Sequence, residues 1–536
     1  MIYLANSREM KAIDGYSIQT VGIPSMVLME RAALAAALRI REALEGAGAP
    51  DSGCWGGAAC AGGENACCAV PGLAIGATAC GGAKNVAPRI VAVCGSGNNG
   101  GDGLAVARIL HTWGYEVSWY MAGDAAKATP ETKQQMEILK NLGIGECAYP
   151  GGLYGADVIV DAIFGIGLTR EVGGHFAEVI ETINQCRALV CAVDIPSGVC
   201  TDTGKVLGCA VRADMTVTFG ENKLGLVLYP GAQLAGHVYV ENIGFAPSAA
   251  RKAGIHTFAY EKTDIAAGLP KRQAYSNKGT YGKVLVIAGS PDMAGACYFS
   301  ARAAYGCGCG LVRVFTVREN HDVLLQKLPE AVLTTYDHRH VDFSLLQDAL
   351  SWADSVVLGP GLSTEAYALD IVSYTLKNCR VPLVMDADGL NLLAKNPYLW
   401  EQVPKNTVLT PHIGEMARLM ERSPGDIAGN LLEVCQSFSG DHHVICALKD
   451  ARTVISDGQE IYINLSGNHG MATGGSGDVL SGIIGGLLAG GLKPLTAASF
   501  GCFIHGCAGD EACKAKGAYG LLASDIIQYM SKVIRQ

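Results

Sequence analysis

The segment RIVAVCGSGNNGGDGLAVARIL, residues 89–110, decides the fold class. It passes from a short apolar run, through a glycine-rich turn, into a segment with helical character. Similar apolar runs lie at 115–121, 156–165 and 188–198, far enough apart for a helix to join each to the next. Strands that alternate with helices are typical of βαβ units, so the sequence predicts a parallel sheet covered on both faces.

A second series of apolar runs opens at 282–290 and continues through LVRVFT, SVVLGPG, VPLVMDADG and NTVLTPH. Between the two series, residues 244–275 hold few long apolar runs. We therefore predict an α/β protein of two tandem domains, residues 1–248 and 249–536. The chain of 536 residues has the length for this, since a domain takes roughly 100–200 residues.

Composition narrows the class of protein. Apolar residues make up 49% of the chain and charged residues 17%, which provides a buried core for each domain. The net charge of −9 disfavours nucleic acid as a partner, because a phosphate backbone attracts a Lys/Arg-rich surface. We see no secretory signal, and the uncharged stretches are too short or too broken to span a bilayer. We expect a cytoplasmic homo-oligomer that binds neither nucleic acid nor membrane.

Residues 45–88 differ from the rest of the chain, because glycine, alanine and cysteine dominate them without a clear period. Five of the 20 cysteines lie here, but they lack the paired C-x2-C spacing of a zinc site. We interpret the segment as a loop-like insertion. The other cysteines are scattered singly, and without a signal peptide we expect them to be reduced thiols.

The first glycine turn suggests a phosphate-binding loop. Gly95, Gly97 and Gly100 follow the pattern G-x-G-x-x-G between a strand and a helix, where main-chain N–H groups can face a phosphate. The pattern alone is weak, because a tight turn that merely requires glycine fits it equally well.

Polar residues at three strand ends strengthen the case for a ligand. Asn98, Asn99 and Asp102 lie in the first turn, Asp161 ends the strand in VDAIFGIGL, and VDIPSG supplies Asp194 and Ser197. In open α/β sheets, ligands bind beyond the carboxyl ends of the strands, so these groups should converge on one crevice. Oxygen ligands without His or Cys suit a hard cation or a sugar phosphate.

The turn TGGSGD, residues 473–478, presents a similar arrangement before an apolar helical segment. We place the helix N-terminus near Ser476–Asp478, where free N–H groups form an anion hole for a phosphoryl group. Asp478 would then be the base that takes a proton from an attacking hydroxyl. An N-cap role for Asp478 explains the turn as well.

Further strand-end loops surround this turn in the predicted domain. They are GPGLS (359–363), DADGLN (386–391) and TPHIGEM (410–416), and LKDARTVI (448–455) places Lys449 near a phosphate. A lone histidine such as His412 is most often structural. The chain lacks G-x-x-x-x-G-K-[ST], so the predicted phosphate site is not a P-loop.

Two sets of motifs resemble one family. GNNGGDG, DAIFGIGL and VDIPSG, with LMERAA upstream, resemble the epimerase domain of bifunctional NAD(P)H-hydrate repair enzymes. Residues 277–492 resemble the dehydratase domain of the same family. The resemblance implies an N-terminal Rossmann-like three-layer domain that interconverts R and S hydrates of NADH and NADPH. It also implies a C-terminal ribokinase-like domain that uses ADP or ATP to dehydrate the S hydrate, with release of phosphate.

The resemblance also implies site residues. In the epimerase domain it implies Asp194 as catalytic residue and a potassium ion bound by Asn99, Asp161 and Ser197. The implied epimerase substrate contacts are Asn98, Asn99, Gly100, Gly101, Asp102, Gly165, Ile166, Gly167, Leu168, Thr169, Arg170, Glu171 and Asp194.

In the dehydratase domain the resemblance implies Asp478 as catalytic residue, with Mg²⁺ at the phosphates. The hydrate contacts are Ala296, Gly361, His412 and Asp478. The implied nucleotide contacts are Lys449, Asp450, Ala451, Arg452, Thr453, Asn468, Gly470, Met471, Ala472, Thr473, Gly474, Gly475, Ser476 and Gly477. Two residues depart from the family pattern, because Asp450 stands where Gly is expected and Asn277 where His is expected.

Two alternatives remain open at the level of sequence. The C-terminal domain has the features of a ribokinase-like small-molecule kinase, which would release a stable phosphate ester. The N-terminal domain has the features of a non-catalytic ligand-binding module, because polar strand ends predict a ligand but not turnover.

Overall fold

The structure is a computed structural model that describes residues 1–46 and 87–534. The insertion predicted at 45–88 lies, apart from its outermost residues, outside the described residues. The chain divides into two compact units, with the division after Ile255. Each unit contains one of the two predicted series of strands and helices.

The N-terminal unit is an α/β layer structure. Its helices are α1 (Ser7–Gly15), α2 (Ser25–Glu45), α3 (Asn98–Thr112), α4 (Pro130–Asn141), α5 (His175–Gln185), α6 (Leu224–Val227), α7 (Gly231–Leu234) and α8 (Ala249–Ala253). Its strands are β1 (Ile2–Ala5), β2 (Arg89–Cys94), β3 (Glu116–Met121), β4 (Val158–Ala162), β5 (Leu189–Val193), β6 (Met215–Phe219), β7 (Asn222–Lys223) and β8 (His237–Glu241). Six strands form a parallel sheet in the order β3-β2-β4-β5-β6-β8, and β1 pairs with β7.

Both faces of this sheet are covered, as the apolar runs predict. Along β2, Ile90 and Ala92 pack in a core with Leu104 of α3, whereas Val91 packs in a separate core with Val179 of α5. Side chains alternate between the two faces of a strand, so a run buried on both faces is apolar throughout. The unit therefore has three layers.

The glycine turn after β2 brings α3 very close to the sheet. A Cβ atom at Gly100 would lie 1.8 Å from the carbonyl oxygen of Gly95, and one at Gly103 would lie 2.4 Å from Cβ of Ala162 in β4. Glycine is therefore required at these two positions by the close approach of main chain to main chain and of helix to strand.

The short helix α8 belongs to the N-terminal unit. Its Ala249 and Ala250 pack against Met10 and Ile13 of α1. The predicted boundary, between residues 248 and 249, precedes the observed division by this one helix. The sequence near α8 has no long apolar run, and its small alanines gave no sign that they fill a core.

The C-terminal unit contains a larger sheet. Its strands are β9 (Thr257–Ala259), β10 (Lys283–Ile287), β11 (Leu311–Val317), β12 (Val332–Tyr336), β13 (Ser355–Leu358), β14 (Leu383–Met385), β15 (Val408–Leu409), β16 (Ile445–Leu448), β17 (Val454–Ser456) and β18 (Ile461–Ile463). The order within the unit is β12-β11-β10-β13-β14-β15-β16-β17-β18-β9. The strands from β12 to β16 are parallel, and β17 pairs antiparallel with both of its neighbours.

Helices connect these strands and cover the sheet. They are α9 (Lys262–Gly268), α10 (Ala294–Gly306), α11 (His321–Lys327), α12 (Phe343–Trp352), α13 (Ala366–Asn378), α14 (Asp388–Lys395), α15 (Ile413–Met420), α16 (Pro424–Gly429), α17 (Leu431–His442), α18 (Ser476–Ala489), α19 (Pro494–Lys516) and α20 (Ala523–Val533). Helix α18 is apolar on nearly all sides because it packs between α10, α19 and the sheet. At its crossing with α10, a Cβ atom at Gly482 would lie 2.1 Å from the carbonyl oxygen of Ser300.

All cysteines in residues 1–46 and 87–534 are free thiols, as predicted. No helix in this part of the chain combines the length and apolarity needed to cross a membrane.

Candidate active sites

A cavity of about 810 Å³ lies beyond the carboxyl ends of β2, β4 and β5. The strand-end loops were predicted to meet there, and the structure confirms that they do. The predicted residues that line the cavity are Asn98, Asn99, Asp102, Gly165, Ile166, Gly167, Leu168, Thr169, Arg170 and Asp194. The opposite wall is supplied by α1 and α2, with Lys11, Asp14 and Met29 among its side chains.

Three residues predicted to contact the epimerase substrate do not line this cavity. Gly100 is buried against Gly95, and a Cβ atom at Gly101 would lie 2.7 Å from Cε of Met29, so both glycines serve the packing of α3. Glu171 is exposed outside the lining of the cavity. The glycine pattern could not distinguish residues that face a ligand from residues that allow helix packing.

Asp161 and Ser197 join the ends of β4 and β5 below the cavity. The main-chain N–H and the hydroxyl of Ser197 donate to the two carboxylate oxygens of Asp161, at 2.8 and 2.6 Å. Both side chains are fully buried. Burial raises the pKa of Asp161 to about 6, although hydrogen bonds from Ser197 and Ile163 oppose the shift.

Asn99 lies next to the same loop with part of its hydrogen-bonding capacity unused. Its Nδ2 atom is buried and has no hydrogen-bond partner among the described residues. Its Oδ1 atom would lie 3.2 Å from a Cβ atom at Gly165, and the preceding Phe164 donates its N–H to Ser197 Oγ at 2.8 Å. Because the Ile163 N–H donates to Asp161 Oδ1 at 3.3 Å, the three residues predicted to hold a cation border the same short segment, residues 163–165.

Asp194 is held by a buried lysine. Asp194 follows β5 with φ of +70°, in the left-handed region, and Nζ of Lys223 lies 2.9 Å from Oδ1 of Asp194. The Lys223 side chain is 1% exposed, and its ammonium also donates to the Phe219 carbonyl oxygen at 2.7 Å. Thr218 Oγ1 donates to Asp194 Oδ1 at 3.2 Å. Sequence reasoning missed Lys223 and Thr218; the signal available for Lys223 was a lone lysine beside the apolar run LGLVL.

Asp102 is a second carboxyl group at this cavity, in a different environment from Asp194. Burial raises its pKa well above the ordinary value, and the neighbouring Asp194 and Asp14 raise it further. The cavity thus holds one carboxylate paired with an ammonium and one carboxyl group that favours its protonated form. Such a division is typical of acid–base catalysis.

In the C-terminal unit, Asp478 lies in the first turn of α18. The helix begins at Ser476 and its N-cap is Gly475, with φ of +89°. Asp478 is the third residue of the helix and makes no side-chain capping hydrogen bond. The alternative that Asp478 is an N-cap is therefore wrong. The predicted position of the helix N-terminus, near Ser476, is confirmed, and the Asp478 carboxylate is available for a role other than capping.

An ion pair lies over this first turn. Nζ of Lys449 is 2.9 Å from Oδ1 of Asp386, whose side chain is 1% exposed. A Cβ atom at Gly477 would lie 3.3 Å from Lys449 Nζ and 3.7 Å from Asp386 Oδ2. Lys449 was predicted, whereas Asp386 was missed as a site residue although DADG ends a strand in the same way as the other site loops.

The electrostatic environment of Asp478 favours proton acceptance near neutral pH. Burial and the negative charge of Asp386 raise its pKa to about 7, although Lys449 opposes the shift. Burial also raises the pKa of Glu415 to about 7, with Lys449 opposing the shift and Asp386 adding to it. A base whose pKa lies near the operating pH is well suited to general base catalysis.

The other predicted hydrate contacts lie near the starts of two helices and in one loop of the C-terminal unit: Ala296 in α10, His412 before α15 and Gly361 after β13. His412 is the N-cap of α15, and its Nδ1 accepts hydrogen bonds from Gly414 and Glu415 at 2.9 and 3.3 Å, which leaves Nε2 as a donor. His412 also bridges to Lys449 through the main chain. A Cβ atom at Gly361 would lie 2.8 Å from Cβ of Ala296, so those two predicted residues are adjacent.

The predicted nucleotide contacts lie in two loops. Residues 449–453 join β16 to β17, and residues 468–477 lead into α18. Within them, Arg452 is buried and donates to the Leu465 carbonyl oxygen at 3.0 Å, so its side chain supports the loop. Asp450 is exposed at the start of the first loop.

Two residues of α19 that sequence reasoning missed support the second loop. Asp510 accepts hydrogen bonds from Asn468 Nδ2 at 2.9 Å and from the Gly467 N–H at 3.0 Å. His505 Nε2 lies 3.3 Å from Ser476 Oγ, and burial lowers the pKa of His505 to about 4. The side chain of Asn468 therefore helps to shape the loop.

Comparison with known proteins places both units in one family. Residues 284–532 match a family model described as NAD(P)H-hydrate dehydratase, and residues 25–225 match one described as YjeF-related protein N-terminus. The bifunctional NAD(P)H-hydrate repair enzyme Nnr of Moorella thermoacetica is 36% identical, over 100% of this chain and 97% of the relative. The enzyme of the same name from Thermofilum pendens is 38% identical, over 83% of this chain and 87% of the relative.

A solved structure resembles the C-terminal unit. It is the ADP/ATP-dependent NAD(P)H-hydrate dehydratase from Bacillus subtilis, co-crystallised with ATP and Mg²⁺, at 28% identity and a TM-score of 0.45, covering 51% of this chain and 96% of that chain. The similarity to the curated relatives extends over the whole of this chain and nearly the whole of the Moorella protein. The chain belongs to the family of bifunctional NAD(P)H-hydrate repair enzymes.

Proposed function

We propose that this protein repairs hydrated NADH and NADPH in two steps. The N-terminal unit interconverts the R and S hydrates, and the C-terminal unit uses ADP or ATP to dehydrate the S hydrate, with release of phosphate. Membership of the family over the full length of the chain supports both activities. The single observation that carries the dehydratase assignment is the position of Asp478 in the first turn of α18, beside the Lys449–Asp386 ion pair.

The chemistry of dehydration explains why a phosphoryl group is needed. Hydroxide is a poor leaving group at neutral pH, whereas phosphate is a good one. Asp478 takes the proton from the C6 hydroxyl as the hydroxyl oxygen attacks the terminal phosphorus of the nucleotide. The bridging P–O bond of the nucleotide breaks at the same time and releases AMP from ADP or ADP from ATP. The C6–O bond then breaks, phosphate leaves, and loss of a proton from C5 restores the dihydronicotinamide ring.

The main chain at the start of α18 is suited to the transferred phosphoryl group. The N–H groups of the first helical turn have no partner within the helix and carry its positive end, so they stabilise an anion. Gly477 has no side chain between the main chain and Lys449, which leaves the approach open, and Lys449 adds a point charge. The two predicted loops, 449–453 and 468–477, would hold the nucleotide.

We propose that Mg²⁺ arrives with the nucleotide. The described residues contain no group of three His, Cys, Asp or Glu side chains that could hold a metal ion. In nucleotide sites Mg²⁺ keeps several waters and is held mainly by substrate phosphates. When bound, the ion would neutralise charge on the phosphates.

We propose that Asn99, Asp161 and Ser197 hold potassium in the N-terminal unit. All three present oxygen atoms, which a hard cation prefers. The buried carboxylate of Asp161 and the amide oxygen of Asn99 beside Gly165 are the observations that support a cation there. A buried carboxylate is costly unless it is paired, and a monovalent cation would offset that cost. The ion would fix the loops that form the floor of the cavity.

Product analysis tests the proposed function. Purified S hydrate is incubated with the protein, Mg²⁺ and either ADP or ATP, and the reappearance of reduced-nicotinamide absorbance is followed together with inorganic phosphate. The proposal predicts equal amounts of reduced cofactor and phosphate. A stable phosphate ester without recovered cofactor would instead identify a small-molecule kinase. In a second assay without nucleotide, R hydrate should convert to S hydrate faster than in buffer.

A further inference from the structure

Lys223 is an unusual residue for the inside of a domain. Its side chain is 1% exposed, and it is the last residue of β7, directly before the apolar and buried helix α6. A lysine is almost never fully buried unless its charge is paired, because an ammonium group loses its hydration on burial. A leucine would fill the same space without that cost, so the ammonium group must be explained by what it contacts.

The contacts of the ammonium group converge on one side chain of the cavity. Nζ donates to the Phe219 carbonyl oxygen at 2.7 Å, which fixes the end of the lysine, and it lies 2.9 Å from Asp194 Oδ1. Thr218, fully buried, donates to the same oxygen at 3.2 Å. The Asp194 side chain is 14% exposed and lines the cavity. Because both donors use the Oδ1 oxygen, Oδ2 is the atom available to a ligand there.

We infer that Lys223 is a positioning residue of the epimerase site, which orients the Asp194 carboxylate so that its Oδ2 atom accepts the proton of the C6 hydroxyl. The inference rests on the proposed epimerase activity. It assigns Lys223 no contact with the substrate, since its ammonium is directed at Asp194 and Phe219.

A balanced reaction follows from the two carboxyl groups of the cavity. C6 of the hydrate carries a hydroxyl and is bonded to N1, so it is a hemiaminal carbon. Asp194 takes the hydroxyl proton, the N1–C6 bond breaks, and Asp102 gives a proton to N1, which leaves an open-chain aldehyde. After rotation about the adjacent bond, N1 attacks the other face of the carbonyl group and both protons return. No oxidant, reductant or other reactant is consumed.

The effect of Lys223 on turnover provides the specific test. The charged groups around the two carboxyl groups are Lys223 on β7, which pairs with Asp194, and Asp14 of α1, which faces Asp102. A residue that only orients Asp194 acts on the proton transfer and not on binding of the hydrate, so its loss should lower kcat and leave KM nearly unchanged.

The experiment follows conversion of R hydrate to S hydrate without nucleotide, which keeps the dehydratase idle. For Lys223→Met we expect kcat to fall by about 10²-fold or more, with little change in KM. Lys223→Arg should recover most of that loss, because a guanidinium group can also donate to the carboxylate. Dehydratase activity on S hydrate should be unchanged in both variants, which separates a local effect from misfolding.

Thr218→Val supplies a second variant that conserves shape and removes one hydrogen bond to Asp194. We expect a smaller loss of kcat, again with little change in KM. Should Lys223→Met fail to fold, Thr218→Val decides the matter: a wild-type kcat in that variant overturns the inference. A wild-type kcat in Lys223→Met would overturn it as well. If the wild-type protein does not accelerate epimer exchange, the proposed epimerase activity itself is wrong.

Discussion

Lys449 and Asp386 come from strand ends of different βα units and pair at 2.9 Å over the first turn of α18. The pair controls the charge around Asp478 in two opposing ways. Asp386 raises the pKa of Asp478, and Lys449 lowers it. The ion pair therefore brings a cation to the phosphate site and still leaves Asp478 with a pKa of about 7, near the pH at which a base must work.

The dehydratase rate should fall as the pH drops through about 7, because a protonated Asp478 cannot accept the hydroxyl proton. Asp386→Asn removes the negative charge that raises this pKa and leaves Lys449 unpaired beside Asp478. We expect the acidic limb of kcat to move to lower pH in the variant. The measurement is kcat against pH with saturating S hydrate and nucleotide, and a limb that stays in place would contradict the electrostatic account.

Gly477→Ala should separate activity from stability. The new methyl group would lie 3.3 Å from Lys449 Nζ, in the space assigned to phosphate, so we expect kcat/KM to fall about tenfold or more. Alanine is the better helix former by up to about 1 kcal/mol, so resistance to urea should be unchanged or higher. Gly474→Ala is the matched control, because a Cβ atom there meets nothing within 4 Å. Equal losses of kcat/KM in both variants would argue that the phosphoryl group does not bind at Gly477.

Potassium should stabilise the N-terminal unit against heat. A cation bound by Asn99, Asp161 and Ser197 binds only the folded state, so it should raise the melting temperature in a concentration-dependent way. The melting of the protein is compared in potassium chloride and in choline chloride at equal ionic strength. Asn99→Ala should lose the difference, and Asn98→Ala, the exposed neighbour, should keep it. Identical melting curves of the wild-type protein in both salts would refute the cation site.

Asp450→Asn should strengthen nucleotide binding. Asp450 is exposed next to Lys449 and repels phosphates, though water screens the interaction to about 1 kcal/mol or less. We expect KM for ADP and ATP to fall by up to about fivefold, with a larger effect at low salt. Asp441→Asn, also exposed but at the end of α17, serves as control. A KM that changes equally in the two variants would mean that Asp450 is not near the nucleotide.

The sequence predicted the elements better than the contacts between them. The strand at 89–94 and the helix start at Ser476 were readable because hydrophobic period and turn residues are local signals. Asp386 and Lys449 are 63 residues apart, and Asp194 and Lys223 are 29 apart, so no spacing rule predicts that they pair. The N-cap interpretation of Asp478 was wrong because Gly475, in a left-handed conformation, already takes that position.

The most direct test of the central claim is the rate of cofactor recovery by Asp478→Asn. The substitution removes the proton acceptor and keeps the shape of the side chain, so the variant should fold, bind nucleotide and epimerise R hydrate as the wild type does. We predict that it regenerates NADH or NADPH from S hydrate about 10²–10⁴-fold more slowly. Recovery of the cofactor at the wild-type rate would contradict the account.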